Sequence, residues 1–132
     1  MAQKEGRCVK KGHEEGMRKA VSLLEKFELP LGLLPLGNVR EVGFDRNTGY
    51  MWIIQEKVVE HKFESISKLF IYDTEINGYI KKKKIEKLNG VREGEPVSQI
   101  EVDDSSTGKI HFKSREGGIV KTFPVEAFAA GQ

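Results

Sequence analysis

The sequence predicts a mainly β fold: a curled sheet or partly open barrel with one N-terminal amphipathic helix. Three observations predict it. Apolar residues recur at helical spacing along one stretch, from Met17 to Phe27. A proline-bounded leucine run, Leu29-Pro30-Leu31-Gly32-Leu33-Leu34-Pro35, then stops the helical period. After it come short, largely alternating apolar stretches at regular spacing, separated by glycine-bearing turns, with no second helix.

Residues 1–12 are polar, charged and glycine-containing, with too little apolar surface to offset the entropy of ordering, and read as a flexible tail. From His13 to about Glu28, Met17, Ala20, Val21, Leu24 and Phe27 line one face of a helix. Glu14 and Glu15 suit its positive end, Gly16 weakens its first turn, and Pro30 closes it. The leucine run is expected to be buried as irregular backbone, because each leucine left in water forgoes about 1.5–3 kcal/mol.

Strands are expected at Val39–Phe44, Tyr50–Gln55, Lys57–Phe63 and Lys68–Tyr72. Ile76–Ile80 and Ile85–Lys87 form a hairpin around four lysines, with Ile80 opposite Ile85 for a loop of either two or four residues. Asn89-Gly90 signals a turn. Three more strands follow at Val97–Val102, Lys109–Lys113 and Ile119–Phe123, and Phe128 is the last anchor. The domain therefore spans 13–128, with 129–132 as a second tail.

A chain of 132 residues buries roughly two-thirds of its unfolded surface and needs no disulfide or metal for a core. Its 22 basic and 20 acidic residues give a net charge of +2, which does not suggest a nucleic-acid binder. Cys8 has no intramolecular partner. No apolar run approaches the ~20 residues of a membrane span, and residues 1–16 lack the apolar core of a signal peptide. The chain as given reads as cytoplasmic.

The candidate anion contact is Lys81, Lys82, Lys83 and Lys84. Beside an acidic membrane, lysines contribute about 1 kcal/mol each, roughly 4 kcal/mol for the run. That is less than one myristoyl chain supplies, so the bland reading is a solvated tip that discourages edge aggregation. His61 lies on an apolar face with Val59 and Phe63 and reads as structural. His111 falls on a polar face beside Lys109 and Lys113. No catalytic elbow, zinc signature or phosphate loop is present, and no catalytic, cofactor or metal residues are assigned. Asp103–Gly108 and Asp45–Gly49 imitate calcium loops but lack the required glutamate or glycine, and read as turns. Trp52, Tyr50 and Phe70 are of the kind that stacks bases, but no basic face surrounds them, so they read as core.

Taken in order, Leu29-Pro30-x-Gly32-Leu33-Leu34-Pro35, Tyr72-Asp73 with Ile76-x-Gly78, Leu88-x-Gly90-Val91, Ile100-x-Val102-Asp103-Asp104, Gly108-x-Ile110-x-Phe112 and Phe123-Pro124-x-x-x-Phe128 resemble the plant family catalogued as domain of unknown function number 538. The likeness covers about Ala20 to Phe128. It implies a helix followed by a mixed, folded sheet forming a pseudobarrel. It brings two proposals: a lipid-binding module similar to bactericidal/permeability-increasing proteins, and an esterase acting on chlorophyll. Many members carry a cysteine where this chain has Val58-Val59-Glu60-His61; if the esterase needs it, the resemblance implies an inactive member. Many also begin with a secretion signal.

The residues and the resemblance together point first to a non-catalytic module binding a small, lipid-like amphiphile. Second is a protein-interaction scaffold, the hairpin lysines and the tail meeting an acidic partner. Third is an esterase-like hydrolase using His61. No nucleic-acid partner and no transmembrane segment are expected.

Overall fold

The structure, a computed structural model, describes residues 6–103, 108–115 and 118–131. Helix α1 (His13–Lys26) turns Gly16, Ala20, Leu23 and Leu24 inward. Gly16 has a role beyond weakening the first turn: a Cβ there would run into the Val39 side chain, so its absence seats the helix close to the sheet. The helix ends before Pro30 is reached. Leu29 N–H bonds the Leu24 carbonyl and Glu28 N–H bonds that of Glu25, with Glu28 left-handed at φ 60°, which is a Schellman ending.

The strands are β1 (Arg7–Lys11), β2 (Val39–Asp45), β3 (Tyr50–Gln55), β4 (Val59–Phe63), β5 (Lys68–Lys81), β6 (Lys84–Glu93), β7 (Glu95–Val102), β8 (Lys109–Ser114) and β9 (Val120–Pro124). They form one sheet in the order β1-β2-β3-β5-β6-β7-β8-β9, with β4 also paired to β5. Two expectations are corrected here. Every pairing is antiparallel, so the sheet is not mixed. It is neither closed nor strongly curled, because β1 and β9 stand at opposite ends of the path and do not pair. An antiparallel sheet with one wet face has no need to close.

Residues 7–11 of the expected tail are a strand instead. Arg7 to Lys11 pair with Asp45 to Glu41, backbone bonding that composition does not reveal. Residues 1–5 of that tail and Gln132 of the other lie outside the described residues. Asn89-Gly90 is not a turn between strands but an irregularity within β6: Gly90 has φ 95°, and a Cβ there would strike the Glu75 carbonyl. The two strands expected over 68–80 are one. At its tip Ile80 faces Ile85 as expected, with Lys81 opposite Lys84 and a two-residue loop between.

The inward face is covered by α1, the leucine run and the turn Val125–Phe128. Leu29, Leu33 and Leu34 are buried, while Leu31 is 37% exposed. Gly32 N–H donates to the Phe128 carbonyl, and the Tyr72 hydroxyl donates to the Leu33 carbonyl at 2.9 Å. Phe128 is fully buried at the centre of an aromatic cluster, with ring centroids 4.5 Å from Phe63, 5.7 Å from Phe70 and 5.1 Å from Phe112. Register shifts in β5–β7 bend the sheet enough for Phe112 of β8 to reach Phe70 of β5.

Candidate functional site

At the β8–β9 end of the inward face, a crevice opens between Phe70, Val97, Phe112, Ile119 and Phe123. Two local features build it. A register shift between Val97 and Gln99 turns both Val97 and Ile100 inward, which strict alternation forbids. Alternation along the last strand puts Ile119, Lys121 and Phe123 on one side. The rim is polar: Lys121 Nζ bonds the Glu93 carboxylate, and Ser114 and Glu95 stand beside it. Ile119 is 46% exposed at the mouth. Free space inside is about 20 Å³, room for one water.

The lysine hairpin is engaged within the fold. Lys82 and Lys83 each lie 3.9 Å from the Glu28 carboxylate, and Lys81 and Lys84 lie 3.3 and 3.1 Å from that of Glu86. Lys84 and Lys81 hold the Glu86 carboxyl below the usual glutamate range, mainly through their hydrogen bonds. Lys83 N–H donates to the Phe27 carbonyl at 2.6 Å, so the loop sits on the C-terminal end of α1, where cations complement the helix dipole.

His61 is half-buried, its ring edge-on to Phe63 at 4.5 Å. The carboxylate–imidazole–hydroxyl arrangement belongs instead to His111, whose Nε2 is 2.7 Å from Asp103 Oδ1 and whose Nδ1 is 2.8 Å from Thr122 Oγ1. Sequence reasoning missed it. His111 and Thr122 are cross-strand neighbours, a pairing set by the β8–β9 register. Thr122 is exposed, and neither residue lines the crevice. Among the described residues, no three His, Cys, Asp or Glu side chains group to hold a metal. Asp45–Gly49 is a turn as expected: Asn47 N–H bonds Asp45 Oδ1 at 2.9 Å. Residues 104–107 of the other loop lie outside the described residues.

Of the three aromatics read as core, Phe70 is core. Tyr50 and Trp52 are half-buried on the outward face. The crevice residues Glu93, Ile119 and Lys121 were also missed. The one signal was Lys121, a charge set between Ile119 and Phe123 in an otherwise apolar alternation.

Residues 20–129 match the family described as "Protein of unknown function, DUF538". The chain belongs to the DUF538 family. The match starts within α1 and takes in the leucine run, β2 to β9 and the closing turn, so both the crevice and the hairpin lie within the matched residues. No curated protein and no solved structure matches it. No helix in the described residues is long and apolar enough to cross a membrane.

Proposed function

We propose that this DUF538 chain is a non-catalytic module that binds one small amphiphile in the crevice between Phe70, Phe112 and Phe123. The observation that carries the reading is an aromatic floor with a polar rim of Glu93, Ser114 and Lys121. The crevice holds only about 20 Å³ of free space, far below the roughly 300–1,000 Å³ of ligand sites, so an occupant must part Ile119 and the rim to enter. That favours a single short chain over a two-tailed lipid. Each methylene the opened crevice takes up contributes about 0.8 kcal/mol, offset by the cost of opening it, so a Kd of millimolar order is expected. Lys121 is already neutralised by Glu93, so an uncharged hydroxyl headgroup suits the rim better than a carboxylate. The chain enters by displacing Ile119.

The scaffold reading ranks second: Glu28 and Glu86 pair with the hairpin lysines at the surface and would compete with an acidic partner. The hydrolase reading gains little from Asp103–His111–Thr122: strand register pairs His111 with Thr122, Asp103 reaches the ring from beyond the end of β7, and His111 and Thr122 lie outside the crevice.

Titration with 1-octanol, followed by the aromatic NMR signals of Phe112 and Phe123, tests the proposal. We expect saturable shifts, and octanoate binding no more tightly than octanol. Ile119→Glu, which puts a charge at the mouth, should weaken octanol about tenfold, or 1.4 kcal/mol, with little change in melting temperature. Absent shifts, or shifts that survive Ile119→Glu unchanged, would remove the crevice from consideration.

A further inference from the structure

We propose that the outward face of the sheet binds a neutral oligosaccharide, seated on Tyr50, Trp52 and Tyr79 and hydrogen-bonded by Asp73, Glu75 and the amide nitrogen of Asn77, whose oxygen already accepts from Asn89. The surface is independent of the amphiphile crevice, which opens on the inward face, so either proposal stands if the other fails. It begins with strand alternation. Asp73, Glu75, Asn77 and Tyr79 are every second residue of β5 and share its outward side, while Tyr72, Ile76 and Ile80 point into the core. This stripe is about 20 Å long, at roughly 3.3 Å per residue.

At one end the rings form a platform. Tyr50 lies 5.8 Å from Trp52 with planes 28° apart, and 5.3 Å from Tyr79. The indole is held by two devices. Its Nε1–H donates to Glu41 at 2.7 Å, and it lies over Gly43 of the neighbouring strand, where any Cβ would run into the ring. Rings fixed before a ligand arrives need no ordering on binding. Tyr79 is 39% exposed. Arg7 sits over Trp52 at 5.1 Å, with Asp45 3.9 Å away, and Lys87 over Tyr79 at 5.8 Å, so a sugar ring stacks on these two faces by displacing both cations.

Grooves continue the platform on both sides. One of about 220 Å³ runs beside Tyr79 past Thr48 and Glu86; the other, of about 370 Å³, runs along Asp73, Glu75, Asn77 and Asn89. Their charges decide the occupant. The far groove sets Asp73 and Glu75 against Arg92 and Arg115, and the near one places Glu86 among lysines. A phosphodiester strand needs an excess of cations, which this face does not offer. A neutral glycan fits both halves: the C–H faces of its rings stack on aromatics, and its hydroxyls meet carboxylates, amides and guanidiniums as donors and acceptors.

The sequence has a single tryptophan, so Trp52 emission reports directly on this surface. The probes are cellohexaose, xylohexaose and mannohexaose at millimolar concentration, with polygalacturonate and an oligouridylate as charged comparisons. The expected result is a saturable change with at least one neutral hexasaccharide, about tenfold weaker in Tyr79→Ala, the loss of one stacked ring. Glu75→Gln, on the exposed surface, should weaken it severalfold with the melting temperature unchanged. No response to all three neutral sugars, a response indifferent to both variants, or a preference for either polyanion overturns the proposal.

Discussion

Tyr72 fastens the irregular leucine segment to the sheet with one atom. Its ring is 1% exposed and its hydroxyl reaches the Leu33 carbonyl, so burial pushes its ionisation well above the ordinary tyrosine range. The phenol stays protonated in the folded chain but ionises in the unfolded one above about pH 10, so the unfolded state binds fewer protons there and stability falls as pH rises. The slope from this residue is about 1.4 kcal/mol per pH unit. Tyr72→Phe should cost about 1–2 kcal/mol at neutral pH, because the Leu33 carbonyl loses its donor. It should also flatten the alkaline decline measured by urea unfolding; a decline as steep as wild type would point to another group. Little of this was readable beforehand. The motif Tyr72-Asp73 carried a resemblance, but a hydroxyl meeting a carbonyl 39 residues away depends on tertiary placement alone.

Among the elements, the break between β3 and β4 shows most clearly what alternation conveys and what it omits. Both strands lie along the same edge of β5, β3 against its C-terminal half and β4 against its N-terminal half. Gln55 fills the gap: it is 2% exposed, its amide nitrogen donates to the Tyr72 and Asp73 carbonyls, and its oxygen accepts from Gly37 N–H. Gln55→Leu keeps the size and strands three backbone groups, so we expect a loss of about 2–4 kcal/mol in chemical denaturation. A loss below about 0.5 kcal/mol would mean water replaces the amide. Periodicity located β3 and the Ile80–Ile85 pair because both are local. It could not find β1, where Val9 is the one strongly apolar residue and long-range backbone bonding does the rest. It misread Asn89-Gly90 because a tight turn and a bulge ask for the same left-handed glycine.

For the molecule as a whole, the aromatic cluster joins parts of the chain that are far apart in sequence. Phe63, Phe70, Phe112 and Phe123 all meet Phe128. Phe128→Ala should cost about 3–5 kcal/mol, a large share of the roughly 5–15 kcal/mol typical of a domain, and lower the thermal midpoint by many degrees. A small shift would show that the cluster repacks without it. Phe128 was legible as an anchor because it is the last aromatic after a proline stop. Whether the sheet closes was not legible, since that depends on two edges 109 residues apart, Lys11 and Val120, meeting in space. The crevice shared that limit. Its floor reads as ordinary core, and its rim pairs Glu93 with Lys121 across 28 residues. The lysine run was conspicuous in sequence, yet its partner Glu28 lies on the far side of the leucine segment.

The bond from Gly32 to Phe128 also fixes an order of events during synthesis. Gly32 leaves the ribosome early, but the Phe128 carbonyl that ties it down is translated roughly a hundred codons later, about 5–20 s at ordinary elongation rates. Throughout that interval the nascent polypeptide carries a greasy, proline-stiffened stretch that lacks this tie. It is the place on the growing chain that chaperones have most reason to shield.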